Sequence, residues 1–452
     1  SQQNTSTVAT VTDNTAMGIT IDHGASASTA TLVGNSQSAT GVLNSGVNAL
    51  NLDVNNSSGS GGVAAAQSSL NSSLTATTAG SVGFTTGSGP STNALLNSTV
   101  ALTDNNQKAT AVANSGSNTQ SVTGNAITLA AQSTGQATAG ATYVAGASAT
   151  HNTSAIAGYA TVSKQELAVS TAGAKTVTAL INDAGTNFGA SVTGNVVGST
   201  LSNDSNEATA LTRGNEVSNA TTIAANSIAT GTLASPASGT VAAIASQQET
   251  TVATGTLSIV AQMGGAGSDA AIVSNAITGD VTTSSALSAS DNAVLADAAA
   301  NRGGSAITAA PPTTPPPAPE APWAGAGRGF ATANAAFAVA NKQSVASGTS
   351  VQAGLVDSFT TPTKSTLVQT AVSGSLTSSS IASDGNSLTA NATGNATLGT
   401  GNAITLSGTN LGTSAAIASD QTMAGNASAW IGMAGSRATG RAVSPYSTTV
   451  VV

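Results

Sequence analysis

The chain of 452 residues contains no cysteine. No disulfide can staple it, and no thiolate can hold a metal or attack a substrate. Charge is scarce too. Asp, Glu, Lys and Arg make up 6% of the residues, where an ordinary globular domain has about 25%. The net charge of −8 is spread without runs of either sign. A nucleic-acid groove needs clustered Lys and Arg, so that class of partner is excluded. Aromatic residues are 2% of the chain, too few to build a core of large side chains. No apolar run approaches the roughly 18 residues of a membrane-spanning helix. Only two histidines occur, His23 and His151. Ser-His-Asp catalysis and most zinc sites need more than isolated histidines can offer.

Ala, Ser, Thr, Gly and Asn fill the space instead. Hydrophobic residues still reach 40%, which separates the chain from disordered sequences of low hydrophobicity and high charge. Small side chains with many Thr and Asn suit thin, closely stacked strands. One local pattern recurs: an Asn followed two residues later by an aliphatic. It appears as Asn125/Ile127, Asn195/Val197, Asn226/Ile228, Asn275/Ile277, Asn386/Leu388 and Asn402/Ile404. Residues two apart share one face of a strand. Asn195 to Asn215 and Asn206 to Asn226 are both steps of 20, which suggests a repeat near that period.

A longer match lays Leu201-SNDSNEATALTRG over Leu102-TDNNQKATAVANS and Leu32-VGNSQSATGVLNS without gaps. It superposes Ala208, Ala109 and Ala39, then Asn206, Gln107 and Gln37, then Leu211, Val112 and Val42.

These patterns predict an all-β fold, a β-solenoid or β-helix-like array of short strands carrying an Asn/aliphatic ladder. A stacked Asn amide donates to one neighbour and accepts from the other, about 4.8 Å away. Asn is also a common turn residue, so two readings of these positions stay open: ladder or turn. Val162 to Ile181 reads equally as helix or strand. Seven of the eleven prolines lie between Pro311 and Pro322, and proline cannot join a ladder interior. The expected organisation is therefore a β-rich array over 1–308, a Pro-rich linker over 309–325 and a C-terminal β-rich part over 326–452. The β-branched run from Ser444 to Val452, with Tyr446, Val450, Val451 and Val452, is the candidate strand for donation to a partner.

Chemistry is thinly supported. Asp204/Glu207 and the set Asp280, Asp291 and Asp297 are acids close in sequence, but they lack sugar-stacking aromatics or basic partners. Solvated turn acids fit better than a glycosidase pair. Gly264 to Ile272, GGAGSDAAI, nearly matches a calcium-binding nonapeptide, but no second copy stacks on it. No cofactor or metal is called for. The chain starts at Ser1 with no charged or apolar leader before it, and the expectation is an exported, mature chain.

The Cys-free, Ala/Ser/Thr/Asn/Gly-rich composition and the G-N-x-[IV] spacing resemble surface fibre proteins of the curli type. The chain is most similar there to the holdfast anchor proteins of stalked alphaproteobacteria, over 29–57, 93–129, 192–230 and 380–428. The Gln-rich curlin repeat itself is not met. The resemblance implies an outer-membrane-associated, extracellular protein that ties an adhesive polysaccharide to the cell, with no catalytic residues. It implies other fibre or anchor subunits and a pore-forming secretion protein as partners. A generic adhesin or appendage subunit, and a tailspike-like β-helical enzyme acting on polysaccharide, are the alternatives.

Overall fold

The computed structural model describes residues 1–54, 61–87, 92–129, 138–143, 151–156, 158–181, 186–230, 241–264, 272–309, 337–356, 359, 368–407, 415–431 and 448–451. No helix occurs among them. The chain passes through six parallel sheets in turn, A to F, and then returns to A one layer further on. It is a β-solenoid.

Sheet A stacks Gln2–Thr5, Gly61–Leu70, Tyr159–Val169, Ala242–Val252, Phe337–Val345 and Ala415–Met423. Sheet B stacks Val8–Asp13, Ser73–Thr78, Ala174–Ile181, Thr256–Met263, Thr349–Leu355 and Asn426–Ile431. Sheet C stacks Ala16–Ile21, Ser81–Gly87, Phe188–Thr193, Val273–Ile277, Val368–Val372 and Thr448–Val451. Sheet D is short: Ala25–Ser26, Asn93–Leu96, Asn195–Val197 and Val281–Thr282. Sheet E holds Thr29–Val33, Thr99–Thr103, Thr200–Asp204, Ala286–Ser288 and Ser380–Ala382. Sheet F holds the long strands Ser36–Asp53, Asn106–Leu129, Glu207–Thr230, Ala293–Ala309 and Ser387–Leu406.

The period-2 alternation of the sequence becomes inside and outside. In Ser73–Thr78, for example, Leu74 and Ala76 are buried while Thr75 and Thr77 are half-exposed. The interior is narrow where sheets F and B face each other, and the residues there are small. Ala39, Ala109, Ala210, Ala296 and Ala390 stack in register through all five layers of sheet F. They pack with Leu74, Val177, Ile259 and Val351 of sheet B. A second cluster joins the ends of the sheet F strands (Val122, Ile223, Ile307) to the starts of sheet A strands (Tyr159, Ile244, Phe337). A third fills the C–D–E side around Phe84, Leu95, Leu102 and Leu201.

The antiparallel hairpin of Thr138–Tyr143 and His151–Ile156 lies against sheet A. There Ala160, Val162, Ala243 and Ala245 form a fourth buried cluster.

The structure revises several sequence expectations. The repeat is one whole coil, not a unit near 20. Stacked asparagines of sheet F are 70, 101, 86 and 94 residues apart. The overlay of the Leu32 and Leu102 blocks is the true register, with Leu32 on Leu102, Ala39 on Ala109 and Val42 on Val112. The Leu201 block is two residues out. Leu201 sits on Val100, Asn203 on Leu102 and Ala210 on Ala109. A shift of two keeps every side chain on its face, so apolar patterning cannot detect it. The segment from Val162 to Ile181 is two strands with a turn between them.

Residues 310–336, which include the Pro-rich segment, lie outside the described residues, as do 265–271 of the calcium-like motif. The strands on either side of 310–336 are consecutive layers of the same sheets: Ala242–Val252 pairs with Phe337–Val345, and Ala293–Ala309 with Ser387–Leu406.

The stacked alanines generate a prediction. Replacing Ala210 with Leu adds three carbons where the interior is narrowest, and overpacking of this kind costs about 1–3 kcal/mol. The urea midpoint of the Ala210→Leu chain should fall; an unchanged midpoint would contradict the tight F–B packing.

Candidate functional site

The polar residues that the composition makes abundant are gathered at the corners of the solenoid. Between sheets D and E the chain turns through a residue with left-handed backbone: Ala27, Asn97, Gly198, Ser284 or Ser378. The next residue is always serine. The hydroxyl of Ser98 accepts from the backbone N–H of Ser28 at 3.2 Å, and Ser199, Ser285 and Ser379 repeat the contact at 3.0, 3.2 and 3.2 Å.

Between sheets E and F the left-handed residue is Gly34, Asp104, Ser205, Asp291 or Gly385. Glycine suits 385, where φ is +66° and a Cβ would crowd the Asp291 carboxylate. The next residue is always asparagine. Asn35, Asn105, Asn206, Asn292 and Asn386 form a continuous ladder, each Nδ2 donating to the next Oδ1 at 2.9, 2.9, 3.1 and 3.1 Å. Each Oδ1 also accepts the backbone N–H of the asparagine one layer back. A corner residue and a ladder residue are therefore the same asparagine, so the two readings of the sequence are both true there.

The second ladder clamps sheet F to sheet A. Asn44, Asn114, Asn215, Asn301 and Asn395 are linked Nδ2 to Oδ1 at 2.7, 2.7, 2.8 and 2.9 Å. Their amides also donate to sheet A carbonyls of Ser68, Glu166, Glu249, Ser344 and Thr422 at 2.8–3.0 Å.

Sheet A answers with glutamine. Gln2, Gln67, Gln165, Gln248, Gln343 and Gln421 run through all six layers, each Nε2 donating to the Oε1 one layer back at 2.6–2.9 Å. The first five also donate to sheet F carbonyls of Ser45, Ser115, Glu216, Arg302 and Ala396. A further ladder of Asn48, Asn118 and Asn219 passes to Ser305.

The sequence-selected residues fall into groups. Asn206, Asn215 and Asn386 belong to the ladders just described. Asn275 and Ile277 are both buried, as their shared face requires. Asn275 donates to the Ser288 carbonyl at 2.7 Å and accepts from Asn203 at 3.2 Å. Asn195 and Val197 lie on the outer side of sheet D, because the inward residue is Val196. Asn195 Oδ1 accepts the Asp280 N–H as a turn cap. Asn125 is exposed on sheet F. Asn402 is in register with Ser305, and Ile404 with Ile307. Ile127 and Ile228 are in register with each other, while the side chains of Ile127, Asn226 and Ile228 lie outside the described residues. Val450 and Val451 pair in parallel with Thr370 and Ala371 of the chain's own sheet C; Tyr446 and Val452 lie outside the described residues.

Sequence reasoning missed the glutamine ladder, and it missed Ser-x6-Asn-x8-Asn. That spacing occurs in every coil: Ser28/Asn35/Asn44, Ser98/Asn105/Asn114, Ser199/Asn206/Asn215, Ser285/Asn292/Asn301 and Ser379/Asn386/Asn395.

Some of the few charges pair with each other. Arg213 is 1% exposed, with its guanidinium 2.5 Å from Asp297 and 3.4 Å from Glu216. On the outer face of sheet A, Lys164 lies 3.4 Å from Glu249. Burial, and next the Glu249 charge, push the Glu166 carboxyl above the usual glutamate range; Lys164 and the Thr251 hydroxyl oppose the shift. Asp204 accepts from the Ser288 hydroxyl and the Ser290 N–H. Asp280 accepts the Ser375 N–H. His23 is exposed. No cluster of three metal-ligating side chains occurs among the described residues.

No family model, no curated protein and no solved structure matches this chain.

Two predictions follow from the ladders and the buried acid. Asn215→Ala removes one of the two acceptors of the Asn114 amide, the donor to the buried Asn301 oxygen and the side-chain donor to the Glu249 carbonyl, and should cost about 1–3 kcal/mol. The same change at exposed Asn93 should stay within about 0.5 kcal/mol; equal losses in urea unfolding would contradict the ladder account. Glu166→Gln tests the raised carboxyl. A raised folded pKa favours the protonated form, so its contribution is intact below the unfolded value and lost as pH rises through the folded one. Glu166→Gln should therefore raise the melting temperature at pH 7, and the gain should vanish toward pH 4. A gain that persists at pH 4 would contradict it.

Proposed function

We propose that this chain is an extracellular structural and adhesion protein, which anchors an adhesive polysaccharide at a bacterial outer surface within a multi-protein assembly. The observation that carries the reading is where the polar chemistry goes. Amides and hydroxyls at the corners are bonded to one another, layer upon layer, and some of the charged groups are paired or capped. The outward positions include rows of hydroxyls. Thr10, Thr75 and Thr178 align across sheet B, as do Thr12 and Thr77; Thr29, Thr99 and Thr200 align across sheet E. Rows of hydroxyls at strand spacing suit a polyol polymer through many weak hydrogen bonds. The resemblance to curli-type fibre and holdfast anchor proteins supports the same reading, with other anchor subunits and a secretion pore as partners. A filament subunit with no polysaccharide role is the alternative that shares this architecture.

The test is co-sedimentation of the purified chain with bacterial extracellular polysaccharide, with reducing ends measured in the same tubes. The expected result is retention without release of reducing ends. Absence of retention would overturn the polysaccharide role, and steady release of reducing ends would establish the enzyme reading instead.

A further inference from the structure

The ladder that begins at Asn48 is broken once. Asn48 donates to Asn118, and Asn118 to Asn219, both at 2.8 Å. The next position holds Ser305 instead of an asparagine, and Asn219 reaches its hydroxyl at 3.3 Å. Asn402 follows Ser305 in register. The strand that carries Asn402 is irregular at this point. Gly303 pairs with Thr397 and Ser305 with Asn402, so residues 398–401 are an insertion opposite Gly304.

Sheet A meets this row with Ser163, Ser246 and Asn341, which are in register with one another. The contacts on either side fix which residues face each other. On one side, Gln248 and Gln343 donate to the carbonyls of Arg302 and Ala396. On the other, Ile244, Ile307 and Val339 share one apolar cluster, with Ile404 packed against it. Ser246 therefore lies opposite Ser305, and Asn341 opposite Asn402 in the following layer.

Three polar atoms at this place have no hydrogen-bond partner among the described residues: Ser246 Oγ, Asn341 Nδ2 and Asn402 Oδ1. All three atoms are closed off from solvent. Ser246, Ser305 and Asn341 are 3%, 1% and 2% exposed. Along this ladder each oxygen accepts from the layer behind it. The Asn402 oxygen therefore needs a donor on the Ser305 side, and a serine is too short to bring one.

We propose that one water molecule is bound between Ser246, Ser305, Asn341 and Asn402, and that it acts as the missing rung of the ladder. A serine hydroxyl falls short of an asparagine carboxamide by about the size of one water, which occupies roughly 30 Å³ in the liquid. The four side chains account for each of its bonds. The water accepts from Asn341 Nδ2 and from the Ser305 hydroxyl, which itself accepts from Asn219. It donates to Asn402 Oδ1 and to Ser246 Oγ. Buried waters typically make about 2–4 such bonds to groups that the protein leaves unpaired. The chemistry excludes charged occupants. A cation would meet the Asn341 N–H, and an anion would meet the Asn402 oxygen with no basic side chain among the four. A small neutral molecule that both donates and accepts suits all of them.

The inference is independent of the polysaccharide reading. It is tested by crystal structures of the full chain and of its Ser305→Asn variant, at a resolution that shows ordered water. The expected result is one water within hydrogen-bond reach of Asn341 Nδ2 and Asn402 Oδ1 in the unaltered chain. In Ser305→Asn the new carboxamide should take that place, bonded to Asn219 behind and Asn402 ahead, with the water gone. In solution, the Asn341 side-chain amide should show a nuclear Overhauser effect to a long-lived water, and lose it in the variant. Asn341 and Asn402 bonded directly to each other, with no water between them, would overturn the proposal. A water that stays in place in Ser305→Asn would overturn it too.

Discussion

A buried amide in a hydrogen-bonded stack is nearly neutral; the same amide without partners costs about 1–3 kcal/mol. That asymmetry governs this structure. Small aliphatic side chains give weak register discrimination, because Ala on Ala differs little from Ala on Ser. The asparagines and glutamines discriminate sharply. Slipping one layer against the next would break an Asn ladder at the E–F corner, the Asn ladder on sheet F and the Gln ladder on sheet A together. The wide variation in coil length, from 70 to 101 residues between stacked asparagines of sheet F, has no effect on those contacts. Insertions such as the hairpin at 138–156 are accommodated outside the ladders.

The corners explain the odd composition. A left-handed residue disfavours bulky and β-branched side chains, and all ten at the D–E and E–F corners are Gly, Asn, Asp, Ser or Ala. The residue after it must offer an oxygen to the backbone of the layer behind, which selects Ser at one corner and Asn at the other. Between corners the strands of sheets F and B approach closely, which selects Ala. Large aromatics are needed only where the interior widens, at Phe84, Tyr159, Phe188 and Phe337. Burial without a hydrogen-bond partner pushes the Tyr159 hydroxyl up to about 12.

Much of the fold was legible in the sequence, and for a definite reason. Period-2 alternation and small residues both report strand packing, and both are local. The Leu32 and Leu102 blocks aligned correctly because the spacing between them is uninterrupted by conflicting apolar matches. The Leu201 block aligned two residues off because Leu201 and Asn203 share a face, and the apolar signal at Leu201 outweighed the polar one. The ladders were only half legible. Asn-x-aliphatic is a face pattern and drew attention to Asn275 and Ile277, but also to Asn195 and Val197, which face outward. Ser-x6-Asn-x8-Asn is the stacking pattern itself. It was hidden because its copies are separated by unequal coils, and no fixed period reveals them. The glutamines were invisible for the same reason, with one in each coil.

The central claim is that stacked side-chain amides, rather than apolar burial alone, hold the layers in register. Hydrogen exchange of the side-chain amide protons, followed by NMR on the deuterated chain, tests it most directly. The account predicts that the amides of Asn114, Asn215, Gln165 and Gln248 exchange as slowly as the backbone amides of the same strands, while exposed Asn93 exchanges fast. Ladder amides that exchange as fast as Asn93, in a chain whose backbone amides remain protected, would contradict it.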